Sequence, residues 1–259
     1  MKRVLFIISS CVLVFSSCKK DSETTYISST KGSLSVEFDN VAGSADLQKD
    51  SAWYKNLNGD SLKVTKLKYF VSNFVFTKVD GSSYTDTSYH LIVEGDTTTV
   101  QPEFQVPEGE YSKVSFVLGV DSIRNTSTTL PRTGDLDVVK NADMYWGWNS
   151  GYIFYKLEGT SPKVPSMGGM GKTFMYHIGL TTPTVNNVKT VTLDLTARGT
   201  AKVKSGKETN IHLLVDVLKM FSGTNTINIA TNSMVMSDPF SAKIAENFVG
   251  MFSHGHTEN

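Results

Sequence analysis

From Gly32 onward, apolar side chains return at every second residue. Leu34, Val36 and Phe38 alternate with Ser33, Ser35 and Glu37, and Val114, Phe116, Leu118 and Val120 alternate with Ser115, Val117 and Gly119. Val191, Leu193 and Leu195 alternate with Thr192 and Asp194; Ile211, Leu213, Val215 and Val217 alternate with His212, Leu214 and Asp216. A strand sends successive side chains to opposite faces, so this period places one wall of each segment in a core. Residues 62–79 form a long aromatic and β-branched run, closed by Asp80-Gly81, a hairpin turn pair. Asn58-Gly59 marks a turn just before it. One segment changes period. Ser237-Asp238-Pro239 offers a cap followed by proline at the first helical position, and Phe240, Ile244, Phe248, Met251 and Phe252 then recur at helical spacing. This predicts an amphipathic helix over 239–252. No linker or repeat divides residues 32–252. The expected fold is all-β: a single antiparallel β-sandwich of roughly nine to eleven strands with a short C-terminal α-helix.

Composition supports a real core, with 39% hydrophobic and 19% charged residues. The 25 basic and 25 acidic side chains cancel, so no positive field favours nucleic acid. Two cysteines cannot build a disulfide framework or a cysteine-based zinc finger. Both lie near the start, where Lys2-Arg3, an apolar run from Val4 to Phe15 and Ser16-Ser17-Cys18 have the form of a bacterial secretion signal. The run is shorter than the ~20 residues a bilayer-spanning helix needs. Its pattern resembles a lipoprotein signal, cleaved before a cysteine that is then acylated. Cys11 and Cys18 compete, and the longer hydrophobic stretch selects Cys18. The expected organisation is a lipoprotein signal peptide over 1–17, lipidated Cys18 with a flexible tether to residue 31, a β-sandwich domain over 32–252 and a flexible tail over 253–259. Lys19-Lys20 lacks the aspartate that would suggest inner-membrane retention, which favours an outer-membrane lipoprotein facing the periplasm or the outside.

Several blocks stand in order along the chain: Leu34-Ser-Val-Glu-Phe38, Tyr54-Lys-Asn-Leu-Asn-Gly-Asp60, Val64-Thr-Lys-Leu-Lys-Tyr-Phe-Val-Ser-Asn-Phe74, Pro107-Glu-Gly-Glu-Tyr111 and Leu118-Gly-Val-Asp-Ser122. Met144-Tyr-Trp-Gly-Trp-Asn-Ser-Gly-Tyr152, Lys156-Leu-Glu-Gly159 and Phe174-Met-Tyr-His-Ile-Gly179 follow. The series resembles the MbnP-like family, exported β-sandwich proteins named for a copper-binding periplasmic protein associated with methanobactin. The resemblance implies a copper site with the histidine of Tyr-His-Ile-Gly as one ligand, a second histidine beside the asparagine that follows the Gly-Val-Asp strand, and an oxidised tryptophan upstream of that strand. His177 matches the first. Asn125 is followed by Thr126, and no tryptophan stands between Trp53 and Trp146, so the other two positions depart from the pattern.

The residues themselves offer further donors. Met167 and Met170 lie in the glycine-rich stretch before the His177 strand, and thioethers select Cu(I) while imidazole suits copper or zinc. His254-Gly255-His256 could hold one ion if extended; its alternative is a frayed, solvated end. His90 and His212 lie in strands and could substitute for the absent ligand, against ordinary packing. Trp146 and Trp148 offer an aromatic shelf or, in the alternative, plug the sandwich end. Asp121, Asp135, Asp137 and Asp143 supply hard oxygens suited to calcium, or cap turns. Gly168-Gly-Met-Gly-Lys-Thr173 is no phosphate loop: its leading glycine is replaced by Ser166 and it runs into a strand, so no nucleotide is expected. No triad order, nucleophile elbow or zinc-protease helix is present, and no enzyme is expected. The leading expectation is a lipoprotein binding a transition metal, copper for preference, for storage or handover. The alternative is an interaction or ligand-binding surface lipoprotein that kept the fold and lost the copper site.

Overall fold

The computed structural model describes residues 30–148, 151–165, 172–182 and 184–259. The signal segment, Cys18 and the Met167/Met170 stretch lie outside the described residues. In chain order the strands are β1 (Lys31–Ala42), β2 (Ala45–Asp46), β3 (Tyr54–Lys55), β4 (Ser61–Lys78), β5 (Ser83–Val93), β6 (Glu103–Pro107), β7 (Gly109–Leu118), β8 (Tyr145–Trp146), β9 (Gly151–Thr160), β10 (Thr173–Gly179), β11 (Lys189–Asp194), β12 (Ala201–Val203), β13 (Glu208–Asp216), β14 (Met234–Val235) and β15 (Phe252–Glu258). Two helices accompany them, α1 (Ser122–Thr126) and α2 (Ser241–Asn247).

The strands form two sheets. The smaller runs β15-β13-β1-β2 with β6 also on β1; the larger runs β11-β7-β4-β9-β10-β14, with β12, β3, β5 and β8 attached. The expectation of a purely antiparallel sandwich needs correcting, because β1 pairs β13 in parallel and β10 pairs β14 in parallel. Parallel neighbours require a long crossover rather than a hairpin. Between β1 and β13 the chain builds nearly all of the larger sheet, so nothing in its local turns dictates their direction.

The alternation read from the sequence faces the space between the sheets: Leu34, Val36, Phe38, Val114, Phe116, Leu118, Ile211, Leu213 and Val215 are all buried there. Phe38 meets Phe116 edge-on at 5.4 Å, and Phe252 meets Phe116 at 5.2 Å. The long strand β4 keeps its core wall through a bulge. Tyr69 and Val71 face inward at odd positions, and Phe74 and Phe76 do so at even ones. The register slips between Ser72 and Phe74, where Asn73 takes φ of 51°, a conformation asparagine tolerates better than most side chains.

The larger sheet also has a roof. Phe70, Val120, Phe154 and Tyr152 on its outer face pack with Leu136, Met144 and Trp146 from the excursion over 121–148, forming a second core. The predicted helix is shorter than expected: α2 ends at Asn247 and continues as a 3-10 turn, Phe248–Met251. Asp238 accepts from the Phe240 amide at 2.6 Å and so closes the turn before the helix rather than capping α2 itself. Of residues 253–259, expected as a flexible tail, all but Asn259 belong to β15, which pairs β13 and thereby satisfies its backbone groups. Among the described residues no helix is long and apolar enough to cross a membrane.

Candidate functional site

His177 stands where the parity of β10 puts it. Phe174, Tyr176 and Ile178 are buried in the main core, and His177 faces the opposite side of the larger sheet, beside the roof. There the register lines up charge: Lys66 lies opposite Glu158, and Lys156 lies between Lys68 and His177. His177 Nε2 is 2.8 Å from Glu158 Oε1. Glu158 also faces Lys66 at 3.6 Å and Lys156 at 3.7 Å. Lys156 is only 5% exposed and donates to the Asp143 carbonyl at 2.5 Å, while the Asp143 carboxylate takes Lys68 at 3.0 Å.

Burial pushes the His177 ring below the ordinary histidine range, and Lys156 and Lys66 push the same way, outweighing its hydrogen bond to Glu158 and the attraction of that carboxylate. Burial raises Glu158, but the His177 bond and the charges of Lys66 and Lys156 outweigh it and hold the carboxyl low. Burial likewise lowers Lys156 against the pull of Asp143 and Glu158. The site near neutral pH is therefore a neutral imidazole, an ionised carboxylate and flanking ammonium groups. Glu158, Lys66 and Lys156 were not singled out from the sequence, and Asp143 was read only as a calcium or turn-capping candidate. Their trace was there: Lys66-Leu-Lys68 and Lys156-Leu-Glu158 place charges at alternate positions of strands that otherwise read as core.

The remaining candidates separate. His90 bonds Ser88 at 2.7 Å and lies edge-on to Phe104 at 5.5 Å, on the main-core side of the larger sheet, so it does not join His177 on the outer face. His254 and His256 do not share one face, because the register of β13 and β15 shifts around Gly255. His254 follows Leu213 inward, is buried and bonds Thr257 Oγ1 at 2.9 Å. His256 lies outward, directly opposite His212, with ring centroids 4.6 Å apart.

The four aspartates are each used separately. Asp121 accepts from the Arg124 amide and from Tyr89, Asp135 accepts from the Leu91 amide at 2.9 Å, and Asp137 accepts from the Val139 amide at 2.8 Å. With Asp143 held by lysines, they form caps and latches for the roof and not a calcium cage. Among the described residues no three or more His, Cys, Asp or Glu side chains stand grouped to hold a metal. The tryptophans also divide: Trp146 is 5% exposed in the second core, whereas Trp148 is 70% exposed, with ring centroids 5.7 Å apart. The shelf is thus one structural ring and one free one.

The family model named MbnP matches residues 31–237. The chain belongs to the MbnP family. Its fold is similar to that of MbnP from Methylosinus trichosporium, with a TM-score of 0.54 at 16% identity over 76% of this chain and 80% of that one. Among curated protein sequences none matches. Within this MbnP-type frame, the position after the asparagine is structural: Thr126 Oγ1 donates back to the Ser122 carbonyl at 2.7 Å inside α1. Asn125 is buried and fully engaged, accepting from the Tyr152 amide at 2.7 Å and donating to Thr181 Oγ1 at 3.0 Å. Asn125, Thr126, Trp146 and Thr181 line a cleft of about 120 Å³. Among the described residues its walls carry hydroxyls, an amide and an indole, and no imidazole or thioether.

Proposed function

We propose that this protein is a lipoprotein of the cell envelope, tethered to the outer membrane through acylated Cys18, whose MbnP-type domain binds a transition-metal ion. Copper is the preferred ion, and the role is storage or handover without turnover. The observation that carries the reading is the His177–Glu158 pair at the family's Tyr-His-Ile-Gly position. A neutral imidazole and a carboxylate oxygen stand 2.8 Å apart there. That separation is an ordinary hydrogen bond, which places a nitrogen and an oxygen donor side by side and would have to open for one ion to take both. Met175 lies opposite Glu158 in the register, and Met167 and Met170 precede the strand, so thioethers suited to Cu(I) lie close in sequence.

A second reading draws on Lys66 and Lys156. Both share the carboxylate of Glu158 and repel an incoming cation, as expected of a protein that kept the fold, lost the copper site and binds a partner or ligand through another surface. Titration of the purified protein with Cu(I) and Cu(II), alongside His177→Ala, separates the two. Copper retained after desalting by the parent protein and lost from His177→Ala supports the first reading. Equal retention by both removes His177 from it, and no retention by either selects the second. Cys18→Ala should release the protein from membranes, and continued membrane association of that variant would contradict the anchor.

A further inference from the structure

Of the five histidines, two stand side by side on an outer face, His256 exposed and His212 mostly covered. His212 and His256 are direct cross-strand partners on the outer face of the smaller sheet, with ring planes inclined by 32° and centroids 4.6 Å apart. Directly opposed side chains of an antiparallel pair begin about 4.5–5.5 Å apart, close enough for two imidazoles to meet one ion. The bulge at Gly255 creates this pairing, since a regular strand would carry His254 and His256 to the same face.

Gly255 also sets the ring's orientation. A Cβ there would lie 2.5 Å from His212 Nδ1, so only glycine lets the backbone pass beneath the imidazole. Nδ1 of His212 is consequently buried without a hydrogen-bond partner, and Nε2 is the nitrogen that meets Asp39 Oδ2, at 3.3 Å. His256 Nε2 has Glu258 Oε1 at the same distance of 3.3 Å. Asp39 in turn lines a cleft of about 170 Å³ with Glu37, Asp46, Glu94 and Asp96. Carboxylates of one sign gathered beside a surface raise the local concentration of cations. Arg198 is tied to the Gly255 carbonyl at 3.3 Å.

We propose that His212 and His256 form a two-imidazole clamp for a divalent transition-metal ion; Asp39 and Glu258, each meeting its own ring and not yet grouped around one point, turn in as further ligands when the ion binds. Imidazole with carboxylate suits Cu²⁺, Ni²⁺ and Zn²⁺, and Cu²⁺ binds most tightly in that series. Each Nε2 faces its own carboxylate before the ion arrives. Closure therefore turns exposed side chains on β15 toward His212 and leaves the core untouched. The remaining coordination positions face solvent, which suits exchange with a partner more than permanent storage. This site lies on the other sheet from His177 and needs nothing from the reading given above.

The test is a Cu²⁺ and Zn²⁺ titration of the full-length protein, with affinity measured by equilibrium dialysis and the imidazole resonances followed by NMR for Zn²⁺. The resonances of His212 and His256 should move first. Losing an outer partner of a ligand costs about 10- to 100-fold in affinity, so removing either imidazole as His212→Ala or His256→Ala should cost at least ~100-fold. Gly255→Ala keeps both imidazoles yet displaces His212, and should weaken binding too. His177→Ala should leave this site unchanged. Unmoved His212 and His256 resonances in the parent protein would overturn the proposal whether or not the variants fold, and so would full affinity in a folded double variant. Shifts confined to His177 would overturn this proposal alone and leave the proposed function standing.

Discussion

The two sheets present opposite kinds of outer face. The larger sheet is roofed by residues 121–148, and the imidazole beside that roof sits among Glu158, Lys66 and Lys156. The smaller sheet is bare, and its two outward imidazoles are flanked by Asp39 and Glu258. A strand histidine reads the same in both places. What differs is the charge around the carboxylate that meets the ring: Lys66 and Lys156 share Glu158 beside His177, while Asp39 and Glu258 meet His212 and His256 on the other face. Buried charge must be matched within the fold, whereas an exposed face can wait for a ligand.

Breaking the roof should have the largest effect. Trp146 is buried against Gly179, where an added Cβ would lie 2.7 Å from the indole. Trp146→Ala should cost about 3–5 kcal/mol in urea unfolding, since the cavity left in the second core cannot collapse against a sheet. A loss below ~1 kcal/mol would mean that the roof is a loose cover. Lys156→Met comes next. It removes the donor to the Asp143 carbonyl and one countercharge of Glu158, for about 1–3 kcal/mol. The same substitution removes a cation beside His177, so Cu²⁺ affinity at His177 should rise as stability falls. If copper binding is unchanged in the folded variant, the lysines are not what distinguishes the two faces.

Acid should separate the contributions further. Burial lowers the folded-state values of His177, His90 and His254. The unfolded rings take up protons at about pH 6.5 before the folded ones do, so the stability these rings supply is complete above about pH 6.5 and is lost as pH falls through their lowered values. Glu158 and Asp143, also held low, contribute stability that is present above about pH 4 and disappears below it. The urea midpoint should thus decline in two stages on acidification. His177→Gln should shrink the first stage, and an unaltered first stage would show that His177 is not held neutral by its site.

Much of this fold was legible because core-facing parity is a local property. Leu34, Phe116 and Ile211 declared their walls, Asp80-Gly81 declared its hairpin with Gly81 at φ of 87°, and the block series declared the family. Strand direction was not legible: β1 and β13 meet across a separation of well over a hundred residues with no turn between them to fix their sense. The sites were obscured by register. His256 reaches His212 only because one glycine is extra in β15, and parity counting along 252–258 pairs it with His254 instead. Glu158 reaches His177 only because β9 and β10 align in one particular way.

The smallest effect expected is also the one that most sharply tests the contrast between the faces. His256 is exposed, its Glu258 contact is 3.3 Å between two solvated groups, and its ring touches His212 at the surface. Surface pairs of this kind contribute roughly 0–1 kcal/mol, because water screens the charges and both side chains lose freedom in meeting. His256→Ala should therefore shift the urea unfolding free energy by no more than about 0.5 kcal/mol in metal-free buffer. With Cu²⁺ or Zn²⁺ in excess the gap between parent and variant should widen, because an ion that binds only the folded state stabilises the parent by mass action. A gap already large without metal would make His256 a packing residue, and the bare sheet would then differ from the roofed one only in what covers it.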